Sequence, residues 1–487
     1  MPPPTRPHRE RSLASGPSRA AALALLLAAP AAGLAQAPVP GAPLPADPVL
    51  SSLIEESLSA RPELKQAEAT VVAERERVPQ AGALPDPTLS LGIQNDGFRA
   101  IQIGKMESNY WQVMLSQGLP WPGKRGLRQD LARFGVEEAE AAVARLRLGT
   151  EAAVRRAYLD LLVVRERLGL LDDLERIWQR SVGTARSRYE SGEGAQSDVL
   201  RAHLELNRLQ QRRWALRAEE ASRLQALNRL RDHPLDEPIA SGAAVRDLPL
   251  PSLPELPAAI ADAESRSPEL AAARLSARQA EAGTRLARRD RYPDLGVQVG
   301  VMPRGGLDPM WTAGVSIGLP VWAGRKQSRA VAESDARAEA GRDAAVAVEQ
   351  VLRQRVAERR SALASLLETI LVFRQGLLVQ SQATTESTLA QYRVGKVTFA
   401  SVLEANAGYL SDQEQFLLDS ADAQRIAIAS AEVSLEPAGA SGAAGGMGGV
   451  SIPGAGAPGT GMAGGGAPAA AASPPPATGG TSSSSGM

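Results

Sequence analysis

The apolar residues of this chain repeat with two different periods, and the change from one to the other recurs. Leu89, Leu91 and Ile93 alternate with Ser90, Gly92 and Gln94, and Trp111, Val113 and Leu115 alternate with Gln112, Met114 and Ser116. The same two-residue period returns in Leu295, Val297, Val299 and Val301, and again in Val315, Ile317 and Leu319. These four stretches predict β-strands, each apolar on one face and small or polar on the other. Between and after them the period lengthens to that of a helix. Leu127, Leu131 and Phe134, then Leu161, Leu168, Leu171, Leu174 and Trp178, form a narrow apolar stripe with Arg and Glu filling the wide remainder.

Proline marks where such helices can run. None lies between Pro122 and Pro234, or between Pro320 and Pro437, and stretches that long without a helix breaker suit very long helices. A helix from Leu127 to Ser187 would be on the order of 90 Å long. It should turn at Glu190 to Gly194, where glycine can adopt positive φ, with Ser197 or Asp198 capping a return helix through Leu200, Leu204, Leu209, Leu216, Leu224 and Leu230. The second stretch should turn at Val394-Gly395-Lys396, with Thr398 or Ser401 as cap. Each half therefore predicts an α-hairpin of coiled-coil character.

The halves are copies. Arg61-Pro62-Glu63-Leu64 returns as Ser267-Pro268-Glu269-Leu270, Pro85-Asp86 as Pro293-Asp294, Gly118-Leu119-Pro120 as Gly318-Leu319-Pro320, and Tyr189-x-x-Gly192 as Tyr392-x-x-Gly395. The offset stays near ~200 residues, far beyond a solenoid unit. The implied organisation is a first repeat over 48–235, a linker over 236–256 and a second repeat over 257–436. Residues 1–37, with Arg6, Arg9, Arg11 and Arg19 before the apolar run Ala20 to Leu34, read as a secretory signal peptide. Residues 38–47 read as a linker, and 437–487, almost wholly Gly, Ala, Pro and Ser, as a disordered tail.

Composition narrows the function. The 54 Lys and Arg balance the 54 Asp and Glu, which gives no charge-based case for a nucleic-acid partner. There is no cysteine, so disulfides and thiolate chemistry are excluded. Only three histidines occur, one of them His8 in the signal peptide, too few for a high-affinity metal site within one chain. No nucleophile, base and orienter set or phosphate-binding loop appears, so neither an enzyme nor a cofactor is expected.

Aromatic residues are scarce at 3%, which makes their placement informative. Trp111 and Trp121 bracket one strand and Trp311 and Trp322 its repeat, about 10 residues apart, the length of a tilted membrane-spanning strand. Such tryptophans suit the two membrane interfaces; a half-buried sheet in a soluble domain is the alternative. Four strands cannot close a barrel, and open edges are not tolerated in lipid, so several chains must pool strands. Two chains would supply eight strands and three twelve; the count alone does not choose.

With signal peptide, two copies of helix, strand pair and long hairpin, Gly-Leu-Pro-Trp-Pro-Gly-Lys-Arg at 118–125, its echo at 318–326 and Tyr-x-x-Gly at both tips, the sequence resembles the outer-membrane efflux protein (TolC) family from about residue 48 to 436. The resemblance implies a mixed α and β membrane protein. Its hairpins would form a periplasmic α-barrel, and its four strands would contribute to a trimeric 12-stranded β-barrel in outer-membrane lipid. It also implies a passive exit duct docked to a periplasmic adaptor and an inner-membrane pump. The 118–124 segment and Asp308-Pro309-Met310-Trp311 are most similar to the heavy-metal branch. A drug or polypeptide duct of the same family, or a periplasmic coiled-coil scaffold, are the competing readings.

The resemblance also points to residues. The family's two acidic pore positions fall on Ser401 and Glu404, so one carboxylate is missing; Glu404 also fits a solvated helix face. Asp198 matches a residue that ties the closed mouth, and equally fits a helix cap; Glu193 is a second candidate at that tip. Tyr189, Gly192, Tyr392 and Gly395 mark the turns. Met302 and Met310 flank a strand connection and could offer thioethers to Cu(I), or simply fill gaps.

Overall fold

A computed structural model describes residues 47–240 and 243–436. The expected signal peptide, most of the short linker after it and the tail lie outside the described residues.

Each repeat begins with two helices where one was expected. In the first, α1 (Pro48–Ala60) and α2 (Pro62–Gly82) meet at Arg61; in the second, α5 (Leu256–Arg266) and α6 (Pro268–Arg289) meet at Ser267. The reason is the duplicated Pro-Glu-Leu. Proline at the first helical position lacks the N–H that a helix start leaves unpaired, and it forces the preceding residue into extended backbone. Arg61 and Ser267 accordingly have ψ of 119° and 115°. Ser267 also caps its helix, its Oγ accepting from Leu270 N at 3.2 Å.

The strands follow as expected: β1 (Thr88–Gln94), β2 (Tyr110–Leu119), β3 (Leu295–Arg304) and β4 (Leu307–Ile317). Leu319 falls beyond the last of them. They form one antiparallel sheet in the order β1-β2-β3-β4, so both edges are left without a partner among the described residues. The central pairing, β2 with β3, joins the two repeats.

From the sheet the chain enters α3 (Lys124–Glu190), whose 67 residues make a rod of about 100 Å, and returns in α4 (Gln196–Arg231). The second hairpin runs out through α7 (Gln327–Val372) and α8 (Leu378–Arg393) and back in α9 (Phe399–Glu432). A π-turn over Phe373–Leu377 separates α7 from α8, where the proline-free sequence predicted uninterrupted helix. Phe373 is buried there against Phe416 of α9, ring centroids 6.3 Å apart.

The core is strung along the hairpins. Around α3, Leu159, Leu161 and Val154 pack with Leu417 and Ile428 of α9 and with Leu50 and Leu53 of α1. Ile239, Val245 and Leu248 join this cluster, so the segment between the repeats is packed, with a helical turn at Val245–Asp247 held by Glu166, whose Oε2 accepts from Val245 N at 2.7 Å. Two residues of the expected α4 stripe, Leu200 and Leu204, are exposed together with Trp214. Among the described residues nothing covers that face.

Candidate functional site

The sheet has two unlike faces. By register, Leu91, Val113, Val301 and Trp311 form one row across the four strands, and Leu89, Leu115, Val299 and Ala313 the next. Every residue in these rows is exposed. The opposite face alternates with it: Ser90, Met114, Gly300 and Thr312 form one row, and Thr88, Ser116, Gln298 and Gly314 another. An apolar face turned outward beside a polar one cannot be the packing surface of a soluble sheet, where the apolar face is the covered one. Trp111 and Trp311 stand on the apolar face near the same end, Trp311 being 79% exposed.

At the other end the two repeats are tied. Lys124, 3% exposed, donates from Nζ to Asp294 Oδ1 and to the Tyr292 carbonyl, both at 2.8 Å, and approaches Asp290 at 3.4 Å. Trp121 donates its backbone N–H to the same Asp294 oxygen at 2.8 Å and stacks on Tyr292, centroids 5.4 Å apart. The 118–124 motif of the first repeat thus closes on Tyr-Pro-Asp of the second. Trp121 is half-buried in this contact, whereas its counterpart Trp322 is exposed.

The hairpin tips bring together residues from both repeats. Gly192 (φ 78°) and Gly395 (φ 74°) make the turns. Tyr392, 2% exposed, donates its hydroxyl to Asp198 Oδ2 of the other hairpin at 2.9 Å. Arg188 crosses in the opposite sense: its guanidinium lies 4.9 Å from the Tyr392 ring centroid, donates to the Tyr392 carbonyl and to Glu193 O, the latter at 3.1 Å. Gly395 is favoured by its φ, and a Cβ there would come within 3.1 Å of Arg188 Nη2 and nudge the guanidinium. Phe399 packs on Tyr392, centroids 5.3 Å apart, within the cluster that joins Trp178, Ala202 and Val402. Burial and the carboxylate it donates to push the Tyr392 hydroxyl up to about 12, with Arg188 opposing, so it stays a donor throughout ordinary pH.

Asp198 is not the cap considered for it. The N-cap of α4 is Ala195, and Asp198 stands in the first turn, free to bond across. Ser197 does not cap either; at the second tip Thr398 holds the N-cap position without a side-chain capping bond, its Oγ1 meeting Ser401 Oγ at 3.5 Å instead. Tyr189, the repeat counterpart of Tyr392, is 47% exposed. Glu404 and Glu193 are exposed and Ser401 is half-buried; the structure does not gather these three with the Asp198 contact, except that the Glu193 carbonyl accepts from Arg188. Arg188 went unnoticed in the sequence because an arginine among many on a helix has no distinguishing pattern.

Among the described residues no group of three or more His, Asp or Glu is arranged to hold a metal ion.

The family described as outer membrane efflux protein matches residues 53–232 and 259–432, one segment in each repeat. Among solved structures the chain is similar to the outer-membrane channel OprN (19% identity, TM-score 0.67, covering 79% of this chain and 90% of that one). It is also similar to the outer membrane protein VceC of Vibrio cholerae (18%, 0.67, 80% and 97%) and to CusC (18%, 0.67, 80% and 92%). No curated protein sequence matches.

Proposed function

This chain belongs to the outer membrane efflux protein family, as an outer-membrane channel that reaches into the periplasm and not an enzyme, and from that premise we propose a homotrimeric passive exit duct for heavy-metal cations. The observation that carries the duct is the sheet. Its outward apolar rows suit acyl chains, its opposite face is polar, and its two open edges demand partners. Three chains supply twelve strands that close on themselves. The exposed apolar faces of α4, at Leu200, Leu204 and Trp214, and of α7 and α8, at Val346, Leu371, Val372 and Val379, would be covered by neighbouring copies in the helical part of the tube.

The tip contacts would hold the periplasmic mouth shut. Tyr392 with Asp198 and Arg188 with Tyr392 lock the two hairpins together, and a pump-linked adaptor would open the duct by breaking them. Three copies of Glu404 would form a ring that favours cations, by the electrostatics of charged constrictions. For the cargo, the support is the likeness of the 118–124 and 308–311 segments to the heavy-metal branch.

Two measurements test this. Detergent-extracted protein should migrate as a trimer and raise the conductance of planar bilayers; a water-soluble monomer in the periplasmic fraction would refute the duct. A deletion strain should lose tolerance to copper, zinc or cobalt while keeping tolerance to detergents and dyes. The reverse pattern would assign drugs as cargo.

A further inference from the structure

Methionine is distributed unevenly. The described residues contain four, Met106, Met114, Met302 and Met310, and all of them lie in the strands or in the loop joining β1 to β2. The helices, which supply almost the whole core, contain none. This chain therefore does not use methionine as the adaptable core filler it commonly is.

Three of the four share the polar face of the sheet. Met302 and Met310 are direct cross-strand partners, and Met114 pairs with Gly300 in the adjoining row. Directly opposed residues lie about 4.5–5.5 Å apart and diagonal ones about 7–8 Å, distances that flexible thioether side chains can bridge to a common point. All three are half-exposed. The row neighbours of Met114 on this face are Ser90, Gly300 and Thr312, which offer a thioether little hydrophobic surface to pack on. Gly300, opposite Met114 and two residues before Met302, is buried under the Thr312 methyl.

We propose that Met114, Met302 and Met310 form a soft-donor contact for a monovalent thiophilic cation, Cu(I) or Ag(I), on the inner wall of the barrel. This rests on the duct reading above, which turns the polar face inward, and it narrows the cargo from heavy metals in general to soft monovalent ones. Thioethers are neutral and prefer soft cations over borderline or hard ones. Weak, exchangeable ligands suit a passage in which an ion must leave as readily as it enters. Three chains would place nine such sulfurs around one section of the tube.

The test uses the full-length oligomer in planar bilayers with nitrate electrolyte and silver nitrate as probe. The chain has no cysteine to capture silver in place of the thioethers. In the wild type, silver should reduce the open-channel current reversibly, while zinc nitrate at the same concentration should not. The Met114→Leu, Met302→Leu, Met310→Leu triple variant keeps volume and charge; its current without silver should be unchanged, and its half-blocking silver concentration should rise by about tenfold or more. A conducting wild type that ignores silver, or a triple variant blocked like the wild type, overturns the site and leaves the duct standing. Absence of any current from the wild type and from a tip-opened variant overturns the duct and the site with it.

Discussion

Replacing Tyr392 with Phe should unlatch the tips. The substitution removes one hydroxyl and keeps the ring, so the packing on Phe399 and the Arg188 guanidinium over the ring both survive. What is lost is a 2.9 Å bond to a carboxylate, of a kind that contributes about 1.5–3 kcal/mol. Asp198 is half-exposed and can be rehydrated, which places the loss near the lower end, about 1.5 kcal/mol. If the mouth opens one chain at a time, the open fraction should rise roughly tenfold. If three tips open together, the losses add to about 4.5 kcal/mol, or roughly a thousandfold. Single-channel recording of extracted trimers would read the open fraction, and the size of the change would separate the two modes. A Tyr392→Phe trimer whose resting open fraction stays within about twofold of the wild type would refute the latch. Arg188→Ala should act on the same equilibrium, and a double-mutant cycle with Tyr392→Phe should show coupling, because both contacts meet at Tyr392.

Three further outcomes are expected. The latch should ignore pH up to about 10 and fail above it: the Tyr392 hydroxyl, raised from 10.0 to about 12, keeps its proton in the latched state where a free tyrosine has lost it, so the stabilisation is intact below 10 and disappears as pH climbs through that interval. Ultraviolet titration of tyrosinate, as the difference between wild type and Tyr392→Phe, would show it; a normal midpoint would refute it. Glu404→Ala should raise resting conductance and lower cation preference, read from reversal potentials in a salt gradient; unchanged values would remove Glu404 from the pore. Lys124→Met should lower stability by about 2–3 kcal/mol, because it strands the Tyr292 carbonyl and half of the Asp294 pairing. Thermal dissociation of the extracted oligomer measures this, and an unchanged midpoint would show that the tie between the repeats lies elsewhere.

The strands and long helices were legible because their signals are local and repeated: two-residue alternation, and proline-free stretches rich in helix formers. What escaped the sequence depended on partners distant along the chain. The break at Pro62 and Pro268 is the exception, a local signal in which each proline opens a new helix. The π-turn at Phe373 answers to Phe416 some forty residues later. Leu200 and Leu204 fit the helical period but not the core, since period reports an apolar face and not which molecule covers it. At the tip, Asp198 was recognised as a candidate, but its partner Tyr392 read only as a turn marker and Arg188 not at all. A hydrogen bond between residues 194 positions apart leaves no periodic trace in either segment.

The unpaired edges of the sheet set the order of events by which the channel is made. β1 and β4 present rows of N–H and C=O groups along seven and eleven residues, about half of them pointing away from the sheet. In water these are hydrated; in hydrocarbon each would cost several kcal/mol. A single chain therefore cannot enter the bilayer first and find its partners there. In the homotrimer proposed above, insertion and closure would be one event, so biogenesis should depend steeply on the concentration of chains waiting in the periplasm. A strain producing too few would accumulate soluble precursors and no partly built pores.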